Sequence, residues 1–312
     1  MLSHITPSVL AALGGVLGIL VVASLIAALL KRLHPDKNYS ELIQRIRSWW
    51  IMIGIFSGAI LLSRTASILF FAFVSFLALK EYLSLIPTRR ADRRVLFWAY
   101  AAIPVQYYWV HEQWYGMFII FIPVYLFLLL PMRMVMIGET KEFLRAAGTL
   151  HWGLMTMVFS LSHAAFFLVL DGTHNPAGGG AGLVLYLIFL TQFNDVAQYV
   201  WGKLTGRHKI IPKVSPNKTW EGFLGGVGTT TALAVLLAPH LTPLTLVESL
   251  GAGLLIALGG FIGDVTISAL KRDIGVKDSG SLLPGHGGIL DRIDSLTYTA
   301  PLLFHYVYYL HY

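Results

Sequence analysis

Ten apolar stretches follow one another along this chain, at about residues 8–30, 48–63, 66–86, 95–110, 114–130, 150–170, 181–201, 222–239, 245–263 and 296–311. Crossing the hydrocarbon core of a bilayer takes a helix of roughly 17–25 residues. The runs approach or meet that length, the second and fourth being short and soft at their ends. Within hydrocarbon every peptide group must be paired internally, so only helices and closed barrels can span it. A barrel would alternate apolar and polar residues in segments of about ten, whereas these runs are continuous. The expected fold class is therefore all-α: a polytopic integral membrane protein with about ten transmembrane helices. Composition agrees, with 56% hydrophobic and 12% charged residues and a mean hydropathy of +0.68, which excludes an ordinary soluble domain. The absence of cysteine removes disulfide frames and thiolate metal sites. The first apolar run is too long for a cleaved signal peptide, and no basic region precedes it.

The basic residues test this topology. Of the 23 Lys and Arg, all but Arg64 and Lys80 fall in the loops after runs one, three, five, seven and nine. Lys80 sits near the inner end of run three, where it can snorkel. Such asymmetry places the basic loops in the cytoplasm, both termini outside, and favours an even number of spans. The net charge of +7 is then mostly a cytoplasmic surface property. For Lys31–Arg47 and Arg89–Arg94 the plain reading is topology plus attraction to anionic lipid, worth about 1 kcal/mol per residue.

No internal repeat is evident, and polar residues inside the apolar runs concentrate after about residue 149. Gly14 and Gly18, and Gly259 and Gly263, have the small-xxx-small spacing that lets helices approach closely. Gly225, Gly226 and Gly228 follow a loop with no expected strand before them, so helix packing is preferred over a dinucleotide fingerprint. The Gly-rich segment Asp171–Gly180 reads as a flexible link. His163 reads as a satisfied packing residue, and no His pair has zinc-ligand spacing.

Three polar groups converge on the cytoplasmic side. Asp195, near Gln192, Asn194 and Gln198, lies about seven residues from the inner end of its run, hence roughly 10 Å deep. A lone carboxylate there costs at least ~2.5 kcal/mol, so Asp195 is either functional or satisfied by a neighbouring side chain. Next, the loop 202–221 carries Lys213 and Lys218 as compact cations, with Ser215 and Thr219 as phosphate donors. Thr219 is equally suited to cap the following helix, and a helix N-terminus itself favours an anion.

The third group is the polar island Ser268–Asp294, between two apolar runs. If the ninth helix continues past its apolar end, Asp264, Ser268, Lys271 and Arg272 share one face. Asp291 and Asp294 are three apart at the start of the last run. Between them lie Lys277, Asp278, Pro284, Gly285, His286, Gly287 and Gly288. Glycines let a backbone approach a ligand closely. Carboxylates suit Mg²⁺, which shares its ligands with substrate phosphates, and Lys271, Arg272 and Arg292 suit the phosphates. His286 has three open roles: general base, phosphate donor or turn residue.

Ser268-x-Leu270-Lys271-Arg272, four residues, Lys277-Asp278-x-Gly280, then Leu283-Pro284-x-His286-Gly287-Gly288-Ile289-x-Asp291-Arg292-x-Asp294 resembles the signature of the phosphatidate cytidylyltransferases, or CDP-diacylglycerol synthases. Pro212-Lys213-Val214-Ser215-Pro216-x-Lys218-Thr219-x-Glu221-Gly222 is similar to the family's second motif. The resemblance covers most of the chain after about residue 45 and is weak in the first half. It implies transfer from CTP to phosphatidate, giving CDP-diacylglycerol and pyrophosphate in phospholipid biosynthesis. It also implies Mg²⁺, with two metal ions of which the second is divalent or monovalent. On that basis Asp264 and Asp291 are the expected metal ligands, with Asp195 and Asp294 as further ligands or supports. Asp264, Lys271, Asp291 and Asp294 are the expected catalytic residues. Lys213, Ser215, Lys218, Thr219, Ser268, Arg272, Lys277, His286, Gly287, Gly288 and Arg292 are the expected substrate-binding residues.

The expected partners are CTP, phosphatidate or a related lipid phosphate, membrane lipids and, as one assembly, a homodimer; nucleic acid is not expected. The expected location is a bacterial inner membrane with the site facing the cytoplasm. Two departures mark a divergent paralogue. The helix near residue 8 is additional to the family core, and Gln198 stands where the family generally has a small residue in Asp-x-x-Ala-Tyr. The chain then divides into an additional N-terminal helix and loop (1–47), N-terminal membrane helices (48–149) and a C-terminal catalytic membrane region (150–312). Other readings are a CTP-dependent lipid kinase, a cytidylyltransferase for a different lipid phosphate, an anion transporter and an inactive membrane scaffold.

Overall fold

A computed structural model describes residues 5–36, 38–280 and 287–312. Leu283, Pro284, Gly285 and His286 of the polar island, and Lys37 of the first basic loop, lie outside the described residues. The chain is helical throughout its apolar runs. Long helices are α1 (Pro7–Leu33), α2 (Ser40–Leu62), α3 (Arg64–Leu85) and α4 (Arg93–His111). Two further rods each contain a π-helical turn: α5 (Tyr115–Ile120) passes through Phe121–Leu126 into α6 (Phe127–Val135), and α7 (Phe143–Leu154) passes through Met155–Ser160 into α8 (Leu161–Phe167). Then come α9 (Gly179–Thr205), a hairpin of β1 (Lys209–Ile211) and β2 (Ser215–Thr219), α10 (Trp220–Leu241) and α11 (Leu246–Asp273). A single turn, α12 (Leu290–Ile293), precedes α13 (Leu296–His311).

Each of the ten expected runs is a helix or helical rod. By length and composition, seven helical segments among the described residues are long and apolar enough to cross a membrane. The rods at Arg93–His111, 143–167 and Leu296–His311 are not among the seven. The class is all-α and polytopic, and the count of ten spans goes beyond those seven.

The core of the second half is a bundle of α9, α10, α11 and α13. Polar side chains join these helices where hydrocarbon supplies no partner. Asn194, fully buried, donates to the Ala257 carbonyl at 3.2 Å and accepts from Thr230 Oγ1 at 3.2 Å. Thr191 and Thr299 share a buried hydroxyl contact of 2.9 Å. Small residues set the spacing. A side chain at Gly225 would strike the Trp201 ring, and one at Gly226 the Gln198 side chain. These glycines serve helix packing, although a strand, β2, does run directly into their helix. Gly263 abuts the backbone of Asp294 and Ser295, while Gly14 and Gly18 meet no neighbouring atom among the described residues.

The expected flexible link at Asp171–Gly180 is instead anchored. Asn175 is fully buried and donates to the carbonyls of Leu241 at 2.9 Å and Gly179 at 2.8 Å. The reason is geometric: the α8–α9 turn must close over the end of α10, and its polar backbone needs partners there. His163 is fully buried, with Nδ1 2.8 Å from the Phe159 carbonyl; its Nε2 has no hydrogen-bond partner among the described residues, so the expected packing residue is satisfied at one ring nitrogen only.

Gly263→Ala should cost about 1–3 kcal/mol, because the methyl group meets backbone that cannot turn aside. A lowered thermal midpoint of the detergent-solubilised protein would show it; an unchanged midpoint would count against close α11–α13 packing as a source of stability.

Candidate active site

The hairpin is the device that brings a cation to the buried carboxylates. β1 and β2 pair antiparallel, Lys209 opposite Thr219 and Ile211 opposite Ser215. Glu221, in the first turn of α10, holds the base of the hairpin by accepting from the amides of Arg207 at 3.0 Å and His208 at 3.2 Å. Thr219 caps α10, its hydroxyl accepting from the Gly222 amide at 3.2 Å. It is buried and lines the hairpin cavity; the cap uses the hydroxyl as acceptor and leaves its hydrogen to donate. Lys218, one residue earlier, turns inward.

Lys218 Nζ lies 2.5 Å from Asp264 Oδ2 and donates to Gln198 Oε1 at 3.1 Å. Burial alone would lower the Lys218 pKa, but Asp264 and Asp195 outweigh it and raise the value, so this ammonium stays charged. Asp264 also accepts from Ser268 Oγ at 3.3 Å, one turn on along α11, which does continue as far as Asp273. Asp195 accepts from Ser295 Oγ at 3.1 and 3.2 Å. It lies ten residues before the end of α9 at Thr205, the helix continuing past the apolar run. It sits in the field of Lys218, Asp264 and Arg292.

A second ion pair stands on the other side. Lys271 Nζ lies 2.6 Å from Asp291 Oδ1, both side chains being largely buried. The other oxygen of Asp291 accepts from the Ser279 amide at 3.0 Å, the Ser279 hydroxyl at 2.9 Å and the Gly288 amide at 3.0 Å. Burial opposes ionisation of Asp291, but Lys271 and the two amides outweigh it and hold its pKa below the ordinary carboxylate value. Asp294 links the two pairs: it is in the field of Asp264, Asp195 and Lys271. Asp291 and Asp294 stay three apart on backbone of helical conformation, since Asp294 and Ser295, which join α12 to α13, both have right-handed helical φ and ψ.

Gly287 has φ +80°, and a side chain there would collide with Asp291. A side chain at Gly288 would strike Glu81 and Ser279. Glu81, near the end of α3, was missed by the sequence reading. It accepts from the Ile289 amide at 2.9 Å and the Leu290 amide at 3.0 Å, at the start of α12. The available signal was an acidic residue inside an apolar run, but beside Lys80 it reads as an edge charge.

The remaining expected binding residues are more dispersed. Arg272 Nε donates to the Val214 carbonyl at 3.2 Å, tying α11 to the hairpin turn. Lys213 and Lys277 are exposed. Ser215 lines the hairpin cavity beside Lys218. The Arg292 carbonyl accepts from Gln192 at 3.1 Å, and its buried Nε has no partner among the described residues.

Among the described residues, no three His, Asp or Glu side chains form a ready-made metal cage. Asp291 accepts from four donors, three on Oδ2 and Lys271 alone on Oδ1. Asp264 and Asp195 converge from two helices on Lys218. Mg²⁺ bound by one or two carboxylates plus substrate phosphates needs no more protein ligands than these, so this donor set fits such an ion.

The family model described as the cytidylyltransferase family matches residues 43–310. The chain belongs to the cytidylyltransferase family, a class of nucleotidyltransferases. It is 47% identical to the uncharacterized protein YnbB of Escherichia coli (strain K12), over 93% of this chain and 95% of that protein. It is 30% identical to the phosphatidate cytidylyltransferase of Staphylococcus haemolyticus, over 81% of this chain and 94% of the relative. With the phosphatidate cytidylyltransferase of Haemophilus influenzae it shares 43% identity over 44% of this chain and 49% of the relative.

Asp291→Asn weakens the Lys271 pair, and its effect should depend on pH. A carboxylate with a depressed folded pKa contributes stability above its unfolded value near 3.9 and loses it as pH falls through the folded value. The stability gap between wild type and Asp291→Asn should be full above about pH 5 and shrink below about pH 4. Thermal unfolding across that range checks this; a constant gap would speak against the ionised pair.

Proposed function

We propose that this protein joins CTP to phosphatidate, giving CDP-diacylglycerol and pyrophosphate, on the cytoplasmic face of a bacterial inner membrane. The observation that carries the reading is the two ion pairs, half-buried Lys218–Asp264 and largely buried Lys271–Asp291, with Asp195 and Asp294 beside them. The cytidylyltransferase match and a phosphatidate cytidylyltransferase relative matched over 94% of its length support it.

An oxygen of the lipid phosphate attacks the α-phosphorus of CTP, and the bond to the β-phosphate oxygen breaks, releasing pyrophosphate. The lipid phosphate is already a nucleophile, so no enzymic Ser or Cys is required. The barrier is the approach of two anions, and catalysis consists of positioning and charge neutralisation. Lys218 and Lys271 supply fixed positive charge, with Arg272, Arg292 and Lys277 at the margins. Asp264 and Asp195 would hold Mg²⁺, with Asp294 beside them; the metal ion, when bound, supplies Lewis-acid neutralisation of the phosphates. Asp291 holds Lys271 through Oδ1 and the Gly287–Gly288 turn through Oδ2, and Oδ1, which accepts from Lys271 alone, would be its metal-ligating oxygen.

An apolar cavity of about 450 Å³ between α1, α2 and α9 reaches Gln192 and Val196, beside Asp195. It suits acyl chains that stay in the bilayer while the phosphate meets the polar site. The additional helix α1, which lies before the matched region, forms one of its walls.

Purified protein incubated with labelled CTP, Mg²⁺ and a panel of lipid phosphates should yield labelled lipid and pyrophosphate, with phosphatidate as acceptor. Release of CDP in place of pyrophosphate would indicate a CTP-dependent lipid kinase. Chelation should stop turnover, and Asp264→Asn should lower it by about 100-fold or more. No labelled lipid from any acceptor would sink the enzyme reading.

A further inference from the structure

Three successive amides, those of Gly288, Ile289 and Leu290, open the helical backbone that carries Asp291. The first turn of a helix leaves its N–H groups without intrahelical partners. Here two carboxylates divide them. Asp291 Oδ2 accepts from the Gly288 amide at 3.0 Å. Glu81 accepts from the other two, Oε2 from Ile289 at 2.9 Å and Oε1 from Leu290 at 3.0 Å. Bonds to an ionised acceptor are stronger than neutral ones. Because both oxygens of Glu81 are engaged, the contact fixes direction as well as distance.

Glu81 is itself held in place. Its neighbour on α3, Tyr82, is 1% exposed and donates to the Thr149 carbonyl of α7 at 2.7 Å. Two glycines leave the slot into which the carboxylate fits. A methyl group at Gly280 would come within 3.0 Å of Glu81 Oε2, and one at Gly288 would strike Oε1 as well as Ser279 Oγ. Neither glycine has the left-handed φ that Gly287 has. At these two positions glycine is therefore required by the room Glu81 takes and not by backbone conformation.

We propose that Glu81 is a positioning residue for the transfer reaction. By taking the Ile289 and Leu290 amides it leaves Asp291 bound to the turn through Oδ2 alone, with Oδ1 kept beside Lys271 and directed at the site. Without Glu81 those two donors are orphaned next to Asp291, the other carboxylate of the turn, and compete for its oxygens. Gly280 and Gly288 serve the same end by admitting the Glu81 carboxylate. The inference rests on the metal-ligating role proposed above for Asp291 and deepens it: a helix in the first half of the chain sets how tightly the second half holds its metal ion.

The full chain in detergent is compared as wild type, Glu81→Gln, Glu81→Ala, Gly280→Ala and the double variant Glu81→Ala/Gly280→Ala. One readout is hydrogen exchange over residues 287–291 without metal or nucleotide. The other is the Mg²⁺ concentration at which CTP raises the thermal midpoint half-way, a linkage effect that needs no lipid acceptor. In Glu81→Gln one amide keeps an oxygen and the other faces an –NH₂. Exchange should be faster in the Glu81 variants. Their Mg²⁺ requirement should rise by about tenfold or more, as when the partner behind a metal ligand is lost. Gly280→Ala should raise the requirement while Glu81 is present, and this holds the proposal to account even if a Glu81 variant does not fold. Once Glu81 is Ala the second substitution should add nothing, the double variant matching Glu81→Ala within about twofold. Faster exchange with an unchanged Mg²⁺ requirement would make Glu81 a structural brace only, and would overturn the proposal. Unchanged exchange, fully additive Glu81 and Gly280 effects, or a wild type whose midpoint ignores CTP with Mg²⁺ would overturn it too. The expected shifts in a protein that makes no labelled lipid from phosphatidate would count against the proposed acceptor alone.

Discussion

Carboxylates held among membrane helices are the constraint on which the rest of the second half depends. Asp195 and Asp264 arise from helices whose other faces are apolar, and neither can be buried without a counter-charge. Lys218 provides it, but Lys218 belongs to a hairpin and not to the bundle. The hairpin must therefore fold back against α9 and α11, and several features make that possible. Glu221 gathers the amides at its base, Thr219 starts α10 directly after it, and the glycines of α10 let that helix lie close against α9. Removing one partner of such a pair leaves an uncompensated charge, which typically costs about 3–5 kcal/mol. The ion pair thus ties three segments into one unit.

Glu81 plays a corresponding part for the polar island. It comes from α3, in the first half of the chain, and accepts the two amides that open α12. Asp291 then folds the chain around itself through Ser279 and Gly288, with Lys271 as its counter-ion. The first half is therefore part of the site's scaffold, even though its apolar runs carry few polar residues.

The two sides of α9 differ in chemistry. One carries Gln192, Phe193 and Val196 and faces the apolar cavity against α1 and α2. The other carries Asp195, Gln198 and Gly202 and faces the cationic cavity under the hairpin. An amphiphilic substrate with acyl chains and a phosphate is matched to such a helix, which is the physical basis of the proposed reaction. Helix α1, outside the region matched by the family model, contributes to the apolar side.

Much of this was legible in the chain itself. Continuous apolar runs forced helices, because hydrocarbon offers no partners to an open backbone. The continuation of α11 through Asp264, Ser268 and Lys271 followed from helical spacing, and Thr219 had the composition of a cap. The hairpin was not legible, since Lys209–Ile211 and Ser215–Thr219 are too short and polar to read as strands. Nor was Glu81, whose partners lie more than 200 residues away. The anchoring of Asp171–Gly180 by Asn175 was hidden because glycine content signals freedom only where nothing packs against it. Sequence by itself determined the helices, the family and the inventory of charges. Only the tertiary structure decided which lysine neutralises which aspartate, and set Gln198 Oε1 against Lys218. Those choices depend on distances between segments remote in the chain, and electrostatic pairing in a buried site is decided within a few ångströms.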